Sequence, residues 1–375
     1  MHAQLAADFE RFGRELPRTW AEHVRERYRI DLATEYLGHP VPHPIGKASG
    51  QLSLNEQQLE ADAAAGLAFV VLKTVIGEDS EGRRTMDAWA IHETKMRVER
   101  RGFEGREGWT VTWKGRGWDG TLDAYLALVA FGHDQARTGG PLAVPSVKMH
   151  LPRLDESFAS AEYRHTIAAL ARAWPDAPLL VENDFSPTLA GDALADEQER
   201  ILRWIDEVPR QIRAAAPEGA RVALKLMNAR FGDDFQRRML ERAFRSADAI
   251  TAFNRLWDVE RGVAYGGWEL SDRNLRVLRN TVPARPISGT GNVSSGALIA
   301  EYAAAGCASV QIHTMFQLPL SAYPAAAGSR TARALHKLVF DPADGLISTL
   351  LGAEQRGDLS RIGGELRFRD LVRRA

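Results

Sequence analysis

PISGTGNVSSGALIAEYAAAGCASVQIHTMF, residues 286–316, parses as a short apolar strand, a glycine-rich turn (Gly289, Thr290, Gly291), a helix, a closing Gly306 and a second strand running to Thr314. Two strands joined by a helix form a βα unit whose turn directs bare N–H groups at one spot. Such a turn suits a phosphate, because unshielded amides and the positive end of a helix dipole favour an anion. Glycine lets the backbone approach where a Cβ would obstruct it. A plain tight turn between strand and helix carries the same glycines, so the remainder of the chain decides between the two.

Working upstream, the same helix–turn–strand phrase recurs. Residues 41–50, VPHPIGKASG, precede a helical NEQQLEADAAAG and the buried strand LAFVVLK ending at Lys73. IAALARAWPDAPLLVEN gives a strand ending at Asn183, ILRWIDEVPRQIRAAAPEGARVALKL one that includes Lys225, and FQRRMLERAFRSADAITAFN one ending at Asn254. Strands alternating with helices predict a parallel sheet, and this many units with right-handed crossovers predict a closed (β/α)8 TIM barrel. The barrel is assigned to residues 39–345, with an N-terminal helical extension at 1–38 and a C-terminal helical tail at 346–375. Nearly every predicted strand carries a polar residue or glycine at its C-terminal end: Lys73, Asn183, Lys225, Asn254, Gly291, Thr314. A barrel gathers those ends on the face where catalysts sit.

The bulk numbers agree with one large α/β unit. The chain has 375 residues, 45% hydrophobic and 26% charged, which is enough apolar material for a sizeable core. A net charge of −1 gives no global attraction to nucleic acid, and no nucleic-acid partner is expected. The single cysteine, Cys307, excludes an internal disulfide and an iron–sulfur cluster held by this chain alone; it reads as a small buried filler. No metal site is expected. No apolar run approaches the ~18 residues of a membrane span and no signal peptide is visible, so the expectation is a cytoplasmic protein.

Three segments lie outside the repeating phrase. Leu5, Phe9, Phe12, Leu16, Trp20 and Val24 recur at three- and four-residue steps, interrupted by Pro17, and predict one or two amphipathic helices. They read as a cap on the barrel's bottom or side. Arg11, Arg14, Arg18 and Arg25 on the polar face leave a membrane-surface or quinone-access role as the alternative. Residues 77–120 end in GWTVTWKGRGWDG, a tryptophan-rich segment read as a lid or pocket wall. The loop after Asn183 is long and acidic and reads as an active-site flap.

With these pieces in order, the chain resembles the flavin-dependent dihydroorotate dehydrogenases over roughly residues 36–340. PIGKASG resembles that family's opening signature, VVLKTV its lysine–threonine pair, and VENDFSPT its Asn-x-Ser-Cys/Ser-Pro-Asn loop. VALKLMN, TAFNR and YGGWEL supply a second lysine, a strand-end asparagine and a double glycine, while ISGTGN and QIHTMF match the two phosphate-holding turns. The resemblance implies FMN across the barrel mouth. Gly291, Asn292, Thr314 and Met315 would hold its phosphate; Ala48, Ser49, Lys73 and Thr74 would line its ring. Asn183, Lys225, Asn254 and Gly267 complete the cofactor set. It further implies oxidation of a CH–CH bond next to a carbonyl, in dihydroorotate or a related cyclic amide. Ser186 stands at the base position, with Lys73 and Lys225 as the other catalytic groups. Asn183, Asn254, Thr188 and Arg255 would meet the substrate, since carboxamides both donate and accept. An ammonium such as Lys225 suits the charge that a reduced flavin develops near N1 and C2=O.

The chain departs from that pattern at Thr188, where an asparagine is expected, and at Arg255, where a small hydroxyl residue is usual. The tryptophan-rich segment lacks the usual substrate-binding asparagine, Asn292 replaces a glycine of the phosphate turn, and His313 replaces another before Thr314. Arg255 either serves a carboxylate or closes the orotate pocket. Two other readings stand: a Schiff-base aldolase using Lys73 or Lys225, and a non-catalytic flavin-binding relative. The expected partners are a small-molecule substrate and a second copy of the chain, since homodimers are the commonest oligomers.

Overall fold

A computed structural model describes residues 2–86, 95–114, 117–175, 178–185 and 197–373. Eight parallel strands form its centre: β1 Ile45–Lys47; β2 Phe69–Val71, resumed at Val75–Ile76; β3 Leu142–Val144, resumed at Ser146–Lys148 beyond Pro145; and β4 Leu180–Asp184. The ring continues with β5 Arg221–Lys225, β6 Ala249–Ala252, β7 Ile287–Thr290 and β8 Ser309–Ile312. Each pairs with the next, and β8 returns to β1 through Val310 opposite Ile45, so the ladder closes. The interruptions in β2 and β3 face each other, with Phe69 opposite Leu142 below them and Val75 opposite Val147 above. The predicted barrel is present.

Period-two alternation separates the two faces of each strand. Outward residues such as Val70, Val181, Val222, Leu224, Ile250 and Val310 join one large core with the surrounding helices. Inward residues at the lower end form a second cluster of Tyr36, Val41, Phe69, Val71, Val144, Leu180, Ala223 and Ala249. Tyr36 comes from a short hairpin, Thr34–Tyr36 paired with His39–Val41, that plugs the barrel. Its ring stacks on Phe69 at 3.7 Å. A Cβ on Gly46 would overlap the Phe69 ring, which explains the glycine there. Above this apolar plug lies a polar layer built on Glu182, Thr251 and Gln311, all buried.

The helices in chain order are α1 His2–Phe12, α2 Trp20–Tyr28, α3 Glu56–Ala64, α4 Leu122–Arg137, α5 Ser160–Ala173 and α6 Gln198–Ala215. After them come α7 Asp233–Ser246, α8 Trp268–Arg279, α9 Gly296–Ala304, α10 Thr314–Gln317, α11 Arg330–Phe340 and α12 Leu346–Arg356. Side-chain caps start several of them. Asn55 accepts from the Gln58 amide at 2.9 Å, and Ser295 from Leu298 at 3.1 Å, each worth ~1 kcal/mol. Within the 286–316 stretch the second strand stops at Ile312 rather than Thr314, because Thr314 already begins the short α10. Cys307 is buried, as expected of a filler.

The two N-terminal helices sit at the rim where the strands begin. Leu5, Phe12, Trp20 and Val24 are all buried. Phe9 stacks on His336 of α11 at 4.4 Å, Trp20 Nε1 donates to the Ala65 carbonyl (3.2 Å), and Arg18 donates to the Gly139 carbonyl (2.7 Å). Their apolar face is therefore used up inside the protein. The 346–375 segment holds α12, then a short strand, Leu366–Arg367, paired in parallel with Ile30–Asp31. Arg25 adds a two-pronged bond to Glu365, 340 residues away. Among the described residues, no helix is long and apolar enough to cross a membrane.

The tryptophan-rich insertion forms a hairpin, Lys95–Phe103 with Arg106–Lys114. It is extended by Val263–Tyr265 and Leu256–Asp258 into a four-stranded antiparallel sheet. Loops after β2 and β6 thus build one wall together.

Candidate active site

At the rim where the strands end, one cavity collects residues from all eight strand ends and their loops. Of the residues singled out from the sequence, Ala48, Ser49, Lys73, Thr74 and Lys225 line it. So do Asn254, Arg255, Gly291, Asn292 and Thr314. Asn183, Gly267 and Met315 are not among its lining. Asn183 lies one residue out of phase: Glu182 and Asp184 point into the barrel, so the Asn183 side chain points away, and its Oδ1 is buried without a hydrogen-bond partner. Gly267 caps α8 just behind Gly266, which does line the cavity. Met315 is buried in the hydrophobic core. Ser186 and Thr188, together with most of the acidic loop, fall outside the described residues.

Two charged lining residues do not stand out in the sequence: Lys148 at the end of β3 and Asp184 at the end of β4. With them the cavity presents, among the described residues, Lys73, Lys148, Lys225 and Arg255 against the one carboxylate of Asp184. That excess of positive charge selects for an anionic ligand. His313 does not add to it. Burial, followed by Arg255, Lys73, Lys225 and Lys47, pushes its pKa well below the usual imidazole range, so the ring is neutral. Arg255 Nη2 meets His313 Nδ1 at 2.9 Å. The guanidinium can only donate, so Nδ1 accepts and the neutral ring carries its proton on Nε2; Gln317 Nε2, 3.4 Å from that atom, is also a donor and does not accept the proton. Burial lowers the Arg255 pKa to about 10, and the Asp184 charge holds it up. A Cβ on Gly50 would overlap the His313 ring, so the glycine of the ASG segment makes room for this histidine.

Hydroxyls and amides join the strand ends. Ser49 Oγ and Ser146 Oγ each lie 3.0 Å from Thr74 Oγ1, which donates to Asp184 Oδ2 at 3.4 Å. Asn254 Nδ2 reaches Asp184 Oδ1 at 3.4 Å, and Asn254 Oδ1 accepts from the Arg255 amide at 2.9 Å. Behind them Asn228 donates to the Asn254 carbonyl (2.6 Å) and to Asn274 Oδ1 (3.0 Å). Asn274 in turn donates to the carbonyls of Phe253 (3.1 Å) and Thr290 (2.8 Å). Two fully buried amides therefore hold the ends of β6 and β7 in place.

Below the cavity floor, Glu182 Oε2 accepts from Thr251 (2.8 Å), from Gln311 and, at 3.4 Å, from Tyr36. Glu182 Oε1 lies 3.8 Å from Lys225 Nζ. Burial raises the Glu182 pKa, and the nearby Lys225 ammonium opposes the rise.

The turn after β7 is shaped for close approach. Gly291 has φ +115, and a Cβ there would overlap Asn274 Nδ2 and lie 3.2 Å from the Phe253 carbonyl. Asn292 follows at φ +55. Its carboxamide, with nitrogen toward Trp109 O (2.9 Å) and oxygen toward Trp268 N (3.3 Å), faces the antiparallel wall. What Asn292 offers the cavity is thus mainly backbone. Thr110, hydrogen-bonded to Gly266 O, clamps the same wall from the other insertion. Gly117 brings the end of the tryptophan-rich segment to the cavity. Among the described residues no cluster of histidine, cysteine or acidic side chains could hold a metal ion.

No family model matches the chain. It is similar to curated proteins named dihydroorotate dehydrogenase (quinone). With that of Xanthomonas euvesicatoria pv. vesicatoria it is 27% identical over 316 residues, covering 79% of this chain and 83% of the relative. With that of Xanthomonas oryzae pv. oryzae it is 26% identical over 304 residues, or 76% and 79% of the two chains. With that of Azotobacter vinelandii it is 26% identical over 303 residues, or 76% and 80%.

Proposed function

We propose that this dihydroorotate dehydrogenase-like barrel is an FMN-dependent oxidoreductase that removes two hydrogens across a CH–CH bond next to a carbonyl, in dihydroorotate or a related cyclic amide. The observation that carries the reading is the convergence of Lys73, Lys225, Asn254 and Gly291, spread over the chain from β2 to β7, on one cation-rich cavity at the barrel mouth.

The residues present fit the cofactor. The Gly291 turn exposes backbone where a side chain would collide, as a phosphate cradle requires. Gly291, Asn292, Thr314 and the Met315 amide would hold the phosphate, while Ala48, Ser49, Lys73 and Thr74 would face the ring. When bound, the flavin supplies a two-electron acceptor. Lys225, fixed over Glu182, would place an ammonium where negative charge develops. Asn254, tied by Asn228 and by its neighbour's amide, is oriented to meet a carboxamide or imide. Arg255, locked against His313, would pair with a carboxylate. Ser186 belongs to this scheme as a proton-handling group of the acidic loop. The two N-terminal helices, packed at the opposite rim, take no part in lining the cavity.

The test is a visible spectrum of the purified protein followed by anaerobic titration with dihydroorotate and related cyclic amides. Flavin absorbance that bleaches on addition of one of them is the expected result. A protein that neither carries nor takes up FMN overturns the reading. Lys225→Ala should weaken FMN binding or slow its reduction, and an unchanged rate would remove Lys225 from the site.

A further inference from the structure

We propose that Glu182, acting through Lys225, sets how strongly the cavity floor favours a reduced flavin over an oxidised one, a role resting on the FMN-dependent oxidation proposed above. Glu182 is a positioning residue in this scheme. It lies one inward position below Asp184 on β4 and is not part of the cavity lining, whereas Lys225 is.

The acid has one oxygen committed and the other aimed. Its side chain is fully buried. Oε2 accepts from Thr251 on β6 (2.8 Å), from Gln311 on β8 and from Tyr36 of the hairpin plug (3.4 Å). Gln311 Nε2 also lies 3.0 Å from Thr251 Oγ1 and 2.8 Å from the Tyr36 hydroxyl, so the three donors form one layer. Burial, followed by the Glu182 charge, pushes the Tyr36 pKa well above the usual phenol range, and the hydroxyl keeps its proton. Oε1 has no hydrogen-bond partner and faces Lys225 Nζ at 3.8 Å. Donors drawn from three separate elements thus turn the carboxylate so that its remaining charge falls on the lysine.

The consequence for a flavin is electrostatic. A reduced flavin develops negative charge near N1 and C2=O, and the Lys225 ammonium meets that charge from the cavity floor. A second charge directly beneath the lysine is felt as well, because the barrel interior screens poorly. Burial and Asp184 raise the Glu182 pKa, while Lys225, Gln311 and Thr251 favour the ionised form. In that form Glu182 offsets part of the ammonium and draws it downward. The floor then stabilises the reduced ring less than a lone lysine would. The oxidised ring carries no charge at that edge and is held about equally well with or without the acid.

The test measures the two-electron midpoint potential of bound FMN in wild type, Glu182→Gln, Glu182→Asp and Tyr36→Phe, with thermal unfolding to show that each is folded. Glu182→Gln keeps the shape of the side chain and discards its charge. Its preference for reduced over oxidised FMN should rise ~tenfold, the order of a unit charge felt at an effective dielectric of ~20. That ratio is a shift of ~30 mV in the positive direction. Affinity for oxidised FMN, read by fluorescence quenching, should stay unchanged. Glu182→Asp withdraws the charge by one methylene group and should move the potential the same way by less. It supplies the reading where the glutamine variant does not fold. Tyr36→Phe removes a donor but leaves the charge and the stacked ring, and its potential should match wild type. A shift below ~10 mV in Glu182→Gln, about twofold in that ratio, overturns the assignment. So does a negative shift in either Glu182 variant, or an equal shift in Tyr36→Phe, which would mark the acid as a structural brace. These results leave the oxidoreductase standing; a wild-type protein that takes up no FMN removes both.

Discussion

Replacing Lys225 with methionine takes away the ammonium 3.8 Å from Glu182 Oε1 and leaves the carboxylate alone inside the barrel. Glu182 is fully buried. Its Oε2 keeps the bonds from Thr251, Gln311 and Tyr36, but Oε1 has no hydrogen-bond partner. Removing one member of a buried pair costs ~3–5 kcal/mol. Here the low end, about 3 kcal/mol, is expected. The pair is long, and burial already raises the Glu182 pKa, so the orphaned acid can take up a proton at ~1.4 kcal/mol per unit of pKa. The pH dependence follows from that direction. A folded-state pKa above the ordinary 4.5 means the folded form binds the proton more tightly than the unfolded chain. Below the unfolded value both forms are protonated and the penalty vanishes; it grows as pH rises to the folded value and is then constant. Lys225→Met should therefore lose most stability near pH 8 and much less near pH 5. Glu182→Gln, which keeps the contacts and discards the charge, should restore most of the loss in the double variant. Urea unfolding followed by tryptophan fluorescence at the two pH values reads all four proteins. A deficit below ~0.5 kcal/mol at pH 8, or one that Glu182→Gln leaves untouched, would refute the reasoning, since coupled buried charges cannot be additive.

Three further outcomes are expected. Gly50→Ala places a methyl group into the His313 ring, which Arg255 holds in place; a loss of ~1–3 kcal/mol, as for overpacking, should be relieved by adding His313→Gly, read by thermal unfolding. Gly291→Ala forces a Cβ into φ +115 against Asn274, and strain of ~1–3 kcal/mol should weaken FMN binding about tenfold or more, measured by quenching of flavin fluorescence. Arg255→Gln should weaken orotate binding ~10–100-fold, the worth of a hydrogen bond to a charged group, in a calorimetric titration.

The barrel was legible because its units repeat: apolar runs of strand length, each followed by a polar strand end, leave few alternatives. β3 escaped notice because Pro145 breaks its run into two pieces of three residues, too short to register as a strand, and Lys148 was lost with it. Asp184 was missed by a single position. The apolar run suggests that β4 ends at Asn183, but pairing with β5 carries it to Asp184, and a one-residue offset exchanges the two faces. Glu182 became an interior acid for the same reason. No local pattern announces that Asn228 and Asn274, 46 residues apart, brace each other. Nor does any pattern reveal that two distant insertions share a sheet; both are tertiary facts with no periodicity of their own.

The clasp between Ile30–Asp31 and Leu366–Arg367 has a consequence for how the chain is born. At about 5–20 residues per second, the ribosome needs roughly 20–70 s to supply the 340 positions between Arg25 and Glu365. Throughout that interval Trp20 and Val24 lack part of their cover, and β1 waits for β8 to close the seam. Early emergence therefore exposes greasy helices that chaperones would shelter, whereas the finished molecule has these two distant segments fastened together.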